Sequence, residues 1–296
     1  MIKWIVLDMD GTLLNEKDQI TERTKSCLLR CQEKGIRIIL ASGRSYTRLL
    51  PYAGQLRLKE YGGYLIEVNG MAVYNLEKEE RRVMKQLPEE DIRELFTYGK
   101  NMEVEVQCFE DQAIYYWIPE WQVPIKEKER MDRGLPDDYP MIGGAWTWIT
   151  DTTDGYPFQK QIQSAKEIPK KLNKISYVAD PKTIQKVYDC LKKQYDENYE
   201  IVRTCPRLIE ISPKGITKGQ TLKQLMGKHT IKREEVLAFG DGENDVDMFH
   251  QVKYSVAMEN GEDFVKEQAH LVTKSNREEG VAQVLEKLLE RMEESE

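Results

Sequence analysis

The chain has 296 residues, long for one ordinary core and suited to one large or two medium domains. Apolar residues make up 40% and charged residues 32%, which excludes a disordered polymer; the formal net charge of −7 leaves no broad basic field for nucleic acid or an anionic membrane. The first residues carry no basic leader or cleavage site, and no apolar run approaches the ~20 residues of a membrane span. Five cysteines, an odd count with no Cys-x-x-Cys, and three histidines indicate neither a disulfide framework nor a zinc centre. The expected compartment is the cytoplasm.

The run Ile5-Val6-Leu7 ends in Asp8-Met9-Asp10-Gly11-Thr12. A short apolar run closed by a turn signal reads as a buried strand, and ligands of doubly wound sheets bind at the carboxyl ends of such strands. Two carboxylates one residue apart at that edge repel unless a cation joins them, and Mg²⁺ suits carboxylates plus a substrate phosphate. The plain alternative is an acidic turn after a strand.

Residues 14–20 form a flap, and residues 21–34 carry Cys27, Leu28 and Cys31 at helical spacing with Gly35 as a stop. Residues 36–41 are a second apolar strand, ending at Ser42-Gly43-Arg44 before a helix near Ser45. Strand, helix, strand, helix in this order predicts a parallel α/β sheet. Ser42 and Gly43 fall at the same sheet edge as Asp8. They are suited to an anion, or Ser42 is a plain helix N-cap. Residues 63–68 are a third strand, Asn69-Gly70 a hairpin turn, residues 71–75 the return strand, and the charged residues 77–82 a solvated connection.

The character changes from about residue 83 to residue 206. A helix over 88–100, strands over 102–109 and 112–118, a stretch rich in Trp, Pro and Gly over 117–157, a strand over 173–179, a helix over 182–195, and strands over 200–204 and 208–211 make an α+β unit. The parallel pattern then resumes. A helix over 220–226 follows Lys218, and the strand 236–239 ends at Gly240-Asp241-Gly242-Glu243-Asn244-Asp245. Short strands over 254–258 and 270–273 lead to a closing amphipathic helix over 277–294. Asp241 extends the carboxylate pair to a three-carboxylate metal site, with Asp245 one helical turn on to support it. Asn244 can donate to a phosphate oxygen. Lys218, at a helix start where lysine is mildly unfavourable, reads as a phosphate cation or as an ordinary surface residue.

Asp8-x-Asp10-Gly11-Thr12, Ser42-Gly43-Arg44, Lys218 and Gly240-Asp241-Gly242-x-Asn244-Asp245, in that order, resemble the four motifs of the haloacid-dehalogenase-like phosphatases. The insertion between the second and third motifs, Val256-Ala257-Met258, and Val272-Thr273 with Ser275-Asn276 and Gly280-Val281-Ala282 are similar to the Cof-type subgroup. Glu259 and Gly261 depart from that pattern around Asn260, and residues 117–160 match none of it.

The resemblance implies a Rossmann-like doubly wound core over 1–83 and 207–296 with an inserted α+β cap over 84–206. It implies Asp8 as nucleophile and Asp10 as acid and base. Met9, Thr12, Ser42, Gly43, Lys218 and Asn244 would hold the phosphoryl group. Asp8, Asp10 (through its carbonyl) and Asp241 would hold Mg²⁺, supported by Asp245. The expected activity is hydrolysis of small phosphomonoesters, sugar phosphates or phosphorylated cofactors, by a monomer or homodimer without nucleic-acid or membrane partners. A phosphomutase of the same superfamily and a non-catalytic metal- or phosphate-binding module are the alternatives.

Overall fold

A computed structural model describes residues 1–153 and 155–294. The chain divides into two compact units, Met1–Met84 with Ile216–Glu296, and Lys85–Gly215.

The first unit opens with β1 (Trp4–Leu7), α1 (Glu22–Glu33), β2 (Arg37–Ala41), α2 (Tyr46–Gln55), β3 (Tyr64–Glu67), β4 (Ala72–Asn75) and β5 (Glu80–Val83). Thr21 caps α1 by accepting from the Thr24 N–H. Glu80–Val83, within the charged stretch expected to be a solvated connection, instead pairs antiparallel with β4. It is the outermost strand of its sheet, where charged side chains block further pairing. The β3–β4 connection is also longer than a two-residue turn. Val68, Asn69 and Gly70 all have positive φ (47°, 53° and 99°), and a β-branched residue there is a strained exception.

The second unit contains β6 (Leu87–Pro88), α3 (Glu89–Asn101), β7 (Glu105–Phe109), β8 (Ala113–Trp117), α4 (Val123–Asp132), β9 (Phe158–Gln161), β10 (Lys171–Leu172), β11 (Lys174–Val178), α5 (Pro181–Tyr195), β12 (Tyr199–Cys205) and β13 (Leu208–Pro213). Its six-stranded sheet has the order β12-β13-β11-β7-β8-β9. Ile92, Leu95 and Phe96 of α3 and Ile184, Val187 and Leu191 of α5 bury against Val106, Cys108, Ile175 and Tyr177. Because β13 pairs with both β11 and β12, the unit ends at Gly215 rather than at 206. The Trp-rich stretch holds α4, which opens with a proline in its first turn. The stretch after α4 is pinned from within: buried Glu105 accepts from the Gly143 N–H (2.8 Å) and pairs with buried Lys126 (2.8 Å), which donates to the Trp148 carbonyl (2.6 Å).

The chain then returns through α6 (Lys218–Lys228), β14 (Val236–Gly240), α7 (Glu243–Gln251), β15 (Tyr254–Met258), α8 (Asp263–Lys266), β16 (Leu271–Thr273) and α9 (Gly280–Glu293). These strands join the opening ones in an eight-stranded sheet of order β16-β15-β14-β1-β2-β3-β4-β5, parallel from β16 to β3. Alternation along the strands decides which helix goes where. Ile5, Leu7, Ile38 and Leu40 join Cys27 and Leu28 of α1, Leu49 of α2 and Leu285 of α9. Trp4, Val6, Ile39 and Ala41 face the other way, against Leu222 of α6 and Met248 and Phe249 of α7. Both faces of the sheet are therefore covered, and β1 runs through the centre buried at every position. No helix among the described residues is long and apolar enough to cross a membrane.

Candidate active site

Asp8 is the first residue beyond β1, held in line by its N–H on the Phe239 carbonyl of β14 (3.1 Å). β1 lies between β14 and β2, so Asp8 emerges at the edge where Asp241 and Ser42 also leave the sheet. The chain then makes one wide turn over Met9–Leu13, in which Asp10 is extended and Gly11 is left-handed at φ 79°. A β-carbon on Gly11 would run into the Asp241 carboxylate. Gly11→Ala should therefore lower stability by about 1–3 kcal/mol in urea denaturation, because the backbone penalty and the displaced carboxylate act together.

Lys218 is the first residue of α6, after the N-cap Thr217, whose hydroxyl accepts from the Gln220 N–H (3.0 Å) and donates to Asp247. It is fully buried, which removes the surface-lysine alternative. Its Nζ donates to Asp8 Oδ1 (2.6 Å) and Asp245 Oδ1 (2.8 Å), and these two carboxylates hold it against the unfavourable end of the helix dipole. The other oxygen of Asp245 accepts from the Asp241 and Gly242 N–H groups, at 3.0 Å each. Asp245 is thus bonded through both oxygens and fixes the turn that carries Asp241. Thr12 donates its hydroxyl to Asp241 Oδ1 (2.7 Å), so its proton serves the carboxylate in this arrangement.

Asp8, Asp241 and Asp245 each offer an oxygen within 4.8 Å of the others. Burial raises the Asp8 pKa well above the carboxylate range, Asp245 and Asp241 add to this, and Lys218 opposes it. Burial, reinforced by Asp245, raises Asp241 to about 7, against the hydrogen bond from Thr12. Burial pulls the Lys218 pKa down, but Asp245 and Asp8 outweigh it and raise it above the ordinary lysine value, so the ammonium stays charged. A cluster of three carboxylates whose ionised forms burial and mutual repulsion disfavour, and which offers only oxygen atoms, fits a hard cation.

The Asp10 side chain lies outside that cluster. It is turned to Arg44, which donates to it through Nε (2.9 Å) and again through a terminal nitrogen. Ser42 is buried and its hydroxyl accepts from the Arg44 N–H (3.1 Å). Helix α2 starts at Tyr46 with Ser45 as its N-cap residue, so Ser42 is not that cap. Gly43 lies between them, in the turn that follows β2. Asn244, in the first turn of α7, donates to Asn69 Oδ1 (3.0 Å).

Four residues of this region were not singled out by sequence reasoning as site residues. Arg44 closes on Asp10. Asn69 meets Asn244 from the left-handed turn after β3. Asn260 donates to the Gly11 carbonyl (2.9 Å) and accepts from the Asn276 N–H (3.1 Å), while the Asn276 side chain donates to the Leu14 carbonyl (2.7 Å). The last two tie down the loop that carries Asp10. Arg44, Asn260 and Asn276 all stand within the motif residues quoted above, and Asn69 within a turn dipeptide, but nothing local names their partners.

A family model described as haloacid dehalogenase-like hydrolase matches residues 5–285. YxeH of Bacillus subtilis is 28% identical over 98% of this chain and 99% of its own length. The 5-amino-6-(5-phospho-D-ribitylamino)uracil phosphatase YcsE of the same organism is 25% identical over 96% of this chain and 94% of its own. A crystal structure of a haloacid dehalogenase-like hydrolase from Bacteroides thetaiotaomicron superposes with a TM-score of 0.75 at 29% identity, covering 97% of this chain and all of that one. With the match running from β1 into α9, the chain belongs to the haloacid dehalogenase-like hydrolases.

Proposed function

We propose that this protein is a Mg²⁺-dependent phosphatase that hydrolyses small phosphomonoesters through an aspartyl-phosphate on Asp8. The observation that carries the reading is the buried Lys218 ammonium bridging Asp8 and Asp245 at the carboxyl edge of the sheet. A structural ion pair would need one carboxylate; here one cation serves two, beside a third at Asp241. Substrate phosphate and cation together would complete the charge balance.

Asp8 Oδ1 is held by Lys218, which leaves Oδ2 to attack phosphorus in line. The ester P–O bond breaks, and the leaving oxygen takes a proton from Asp10. Water then attacks the phosphorus of the aspartyl-phosphate, gives its proton to Asp10, and the P–O bond to Asp8 breaks to regenerate the carboxylate. The N–H groups of Met9 and Gly43, the Ser42 hydroxyl, the Lys218 ammonium and the Asn244 amide would hold the transferring oxygens, since phosphoryl transfer needs mainly positioning and charge neutralisation. Thr12, expected among them, would act by orienting Asp241.

Asp8, Asp241 and the Asp10 carbonyl would hold Mg²⁺, with Asp245 fixing Asp241. The bound cation would shield the carboxylates from the phosphoryl group and polarise its oxygens. The residues at 85–215, inserted between the second and third motifs, would select the leaving group. The Bacillus relative named for a phosphoribitylamino-uracil supports including polyol phosphates and phosphorylated cofactors among the candidates.

The test is phosphate release from hexose phosphates, pyridoxal phosphate, flavin mononucleotide, a ribitylamino-pyrimidine phosphate and 4-nitrophenyl phosphate, with and without Mg²⁺. Mg²⁺-dependent release, absent in Asp8→Asn, is expected. Release that persists in that variant would refute the assignment, and isomerised rather than hydrolysed hexose phosphate would point to a mutase.

The raised Asp241 pKa has a signed consequence. In the metal-free protein the folded carboxyl holds its proton more tightly than the unfolded one does. Stability from this group is thus present at low pH and lost as pH rises from about 4 towards 7. Metal binding must displace that proton. Mg²⁺ affinity by calorimetry should therefore rise between pH 6 and pH 8, and the Mg²⁺-induced increase in Tm should be larger at pH 8. Equal shifts at both pH values would remove Asp241 from the ligand set.

A further inference from the structure

Asp10 is largely exposed, at 58% of its side chain, yet its carboxylate is held by directed hydrogen bonds. Arg44 grips it with two donors, Nε on Oδ2 (2.9 Å) and Nη2 on Oδ1. The same Nη2 donates to Asp18 Oδ1 (3.0 Å), and Nη1 donates to the Tyr52 hydroxyl (3.2 Å). That hydroxyl in turn donates to the Asp18 carbonyl (3.1 Å), and the guanidinium lies 5.7 Å from the Tyr52 ring centroid. Asp18 has a left-handed φ of 55°, inside a turn where Asp18 N–H donates to the Asn15 carbonyl (3.0 Å). Arg44 itself is anchored at its backbone, its N–H on the Ser42 hydroxyl and its carbonyl accepting from Val68. Its side chain is only 11% exposed.

We propose that Arg44 is a positioning residue for Asp10, and that Asp18 and Tyr52 form the brace that holds Arg44 in place. The inference rests on the reading of Asp10 as acid and base. A planar fork fixes a carboxylate in two directions at once, which a point charge does not. Arg44 grows from the turn after β2, Tyr52 from α2, and Asp18 from the segment after the acidic loop. The brace therefore ties the Asp10 carboxylate to the turn after β2 and to α2. It sets where the Asp10 carboxyl group is presented while leaving Asp8, Lys218 and Asp241 untouched. A proton misplaced by about 1 Å has large rate consequences, on the order of 10²-fold.

The discriminating measurement is kcat/KM for an alkyl ester, such as a hexose 6-phosphate, against 4-nitrophenyl phosphate, in the wild type, Arg44→Gln, Tyr52→Phe and Asp10→Asn. An alkoxide needs the proton in the first step and nitrophenolate does not. Arg44→Gln should lose about 10- to 100-fold more on the alkyl ester than on the aryl ester, within the range of general acid catalysis. Tyr52→Phe should show the same pattern at a few-fold, and it keeps the test open if Arg44→Gln folds poorly. Equal losses on both esters, a change confined to KM, or no change in either variant would overturn the proposal. Asp10→Asn separates the two levels: leaving-group dependence there but not in the Arg44 and Tyr52 variants refutes the brace alone. Its absence in Asp10→Asn refutes the acid–base reading and the brace with it.

Discussion

Lys218→Met should unfold at a markedly lower urea concentration than the native protein, with a loss on the order of 3–5 kcal/mol, the usual result of removing one partner from a buried pair. The methionine fills a similar volume, so the effect is electrostatic rather than a cavity. Two carboxylates, Asp8 and Asp245, lose the cation that both of them touch. Burial already pushes the Asp8 pKa up, and the ammonium is the main charge that opposes that shift. The variant's folded state then prefers protonated acid, so its deficit should shrink at pH 5 and widen at pH 8. Phosphate release should fall by about 10²–10³-fold, the range for losing one charge-stabilising donor in a reacting site. An unfolding midpoint close to that of the native protein would mean that the two carboxylates do not depend on Lys218.

Asp8→Asn is expected to part activity from stability. On the proposed role of Asp8 as covalent nucleophile, turnover should drop by roughly 10⁴-fold or more. Stability of the metal-free protein should not drop, and at pH 8 it should rise. The ionised Asp8 is disfavoured by burial and by Asp245 and Asp241, and asparagine removes that charge while its amide oxygen can still accept from Lys218. Sites that gather like charges for chemistry are commonly destabilising in this way. A Tm at pH 8 several degrees below that of the native protein would show instead that the Asp8 charge is structurally favourable.

The parallel core was legible because its signals are local. Apolar runs such as Ile5-Val6-Leu7 and Val236-Leu237-Ala238-Phe239 stop abruptly at acids and glycines, and the helices between them have the right lengths and stops. Asp8 and Asp241 are each announced by such a strand end, Asp245 by its place one helical turn on, and Lys218 by its awkward place at a helix start. β5 was hidden because an exposed edge strand is selected for charge, so Glu80–Val83 carries the same signal as a solvated turn. α4 was hidden because Trp, Pro and charge surround it. The end of the inserted unit was misjudged because Leu208–Pro213 takes its membership from pairing with β11 and β12, which no local pattern encodes.

The unassigned site residues share one cause. Arg44 lies 34 positions from Asp10, Asn69 175 from Asn244, and Asn260 249 from Gly11. Each is a polar side chain whose meaning depends on what the fold brings to it. Asn69 also depends on a left-handed backbone next to Val68, where the same conformation is strained, and a valine does not advertise it.

The most direct test of the account is borohydride trapping during turnover. Enzyme, Mg²⁺ and a substrate from the panel are mixed, quenched within the first turnovers and reduced, and the peptide carrying residues 5–14 is weighed by mass spectrometry. An acyl phosphate on Asp8 would be reduced to the alcohol, homoserine, at that position, only with both Mg²⁺ and substrate present and never in Asp8→Asn. Substrate turnover with an unmodified Asp8 peptide would contradict the account and make the attacking group a water molecule rather than the aspartate.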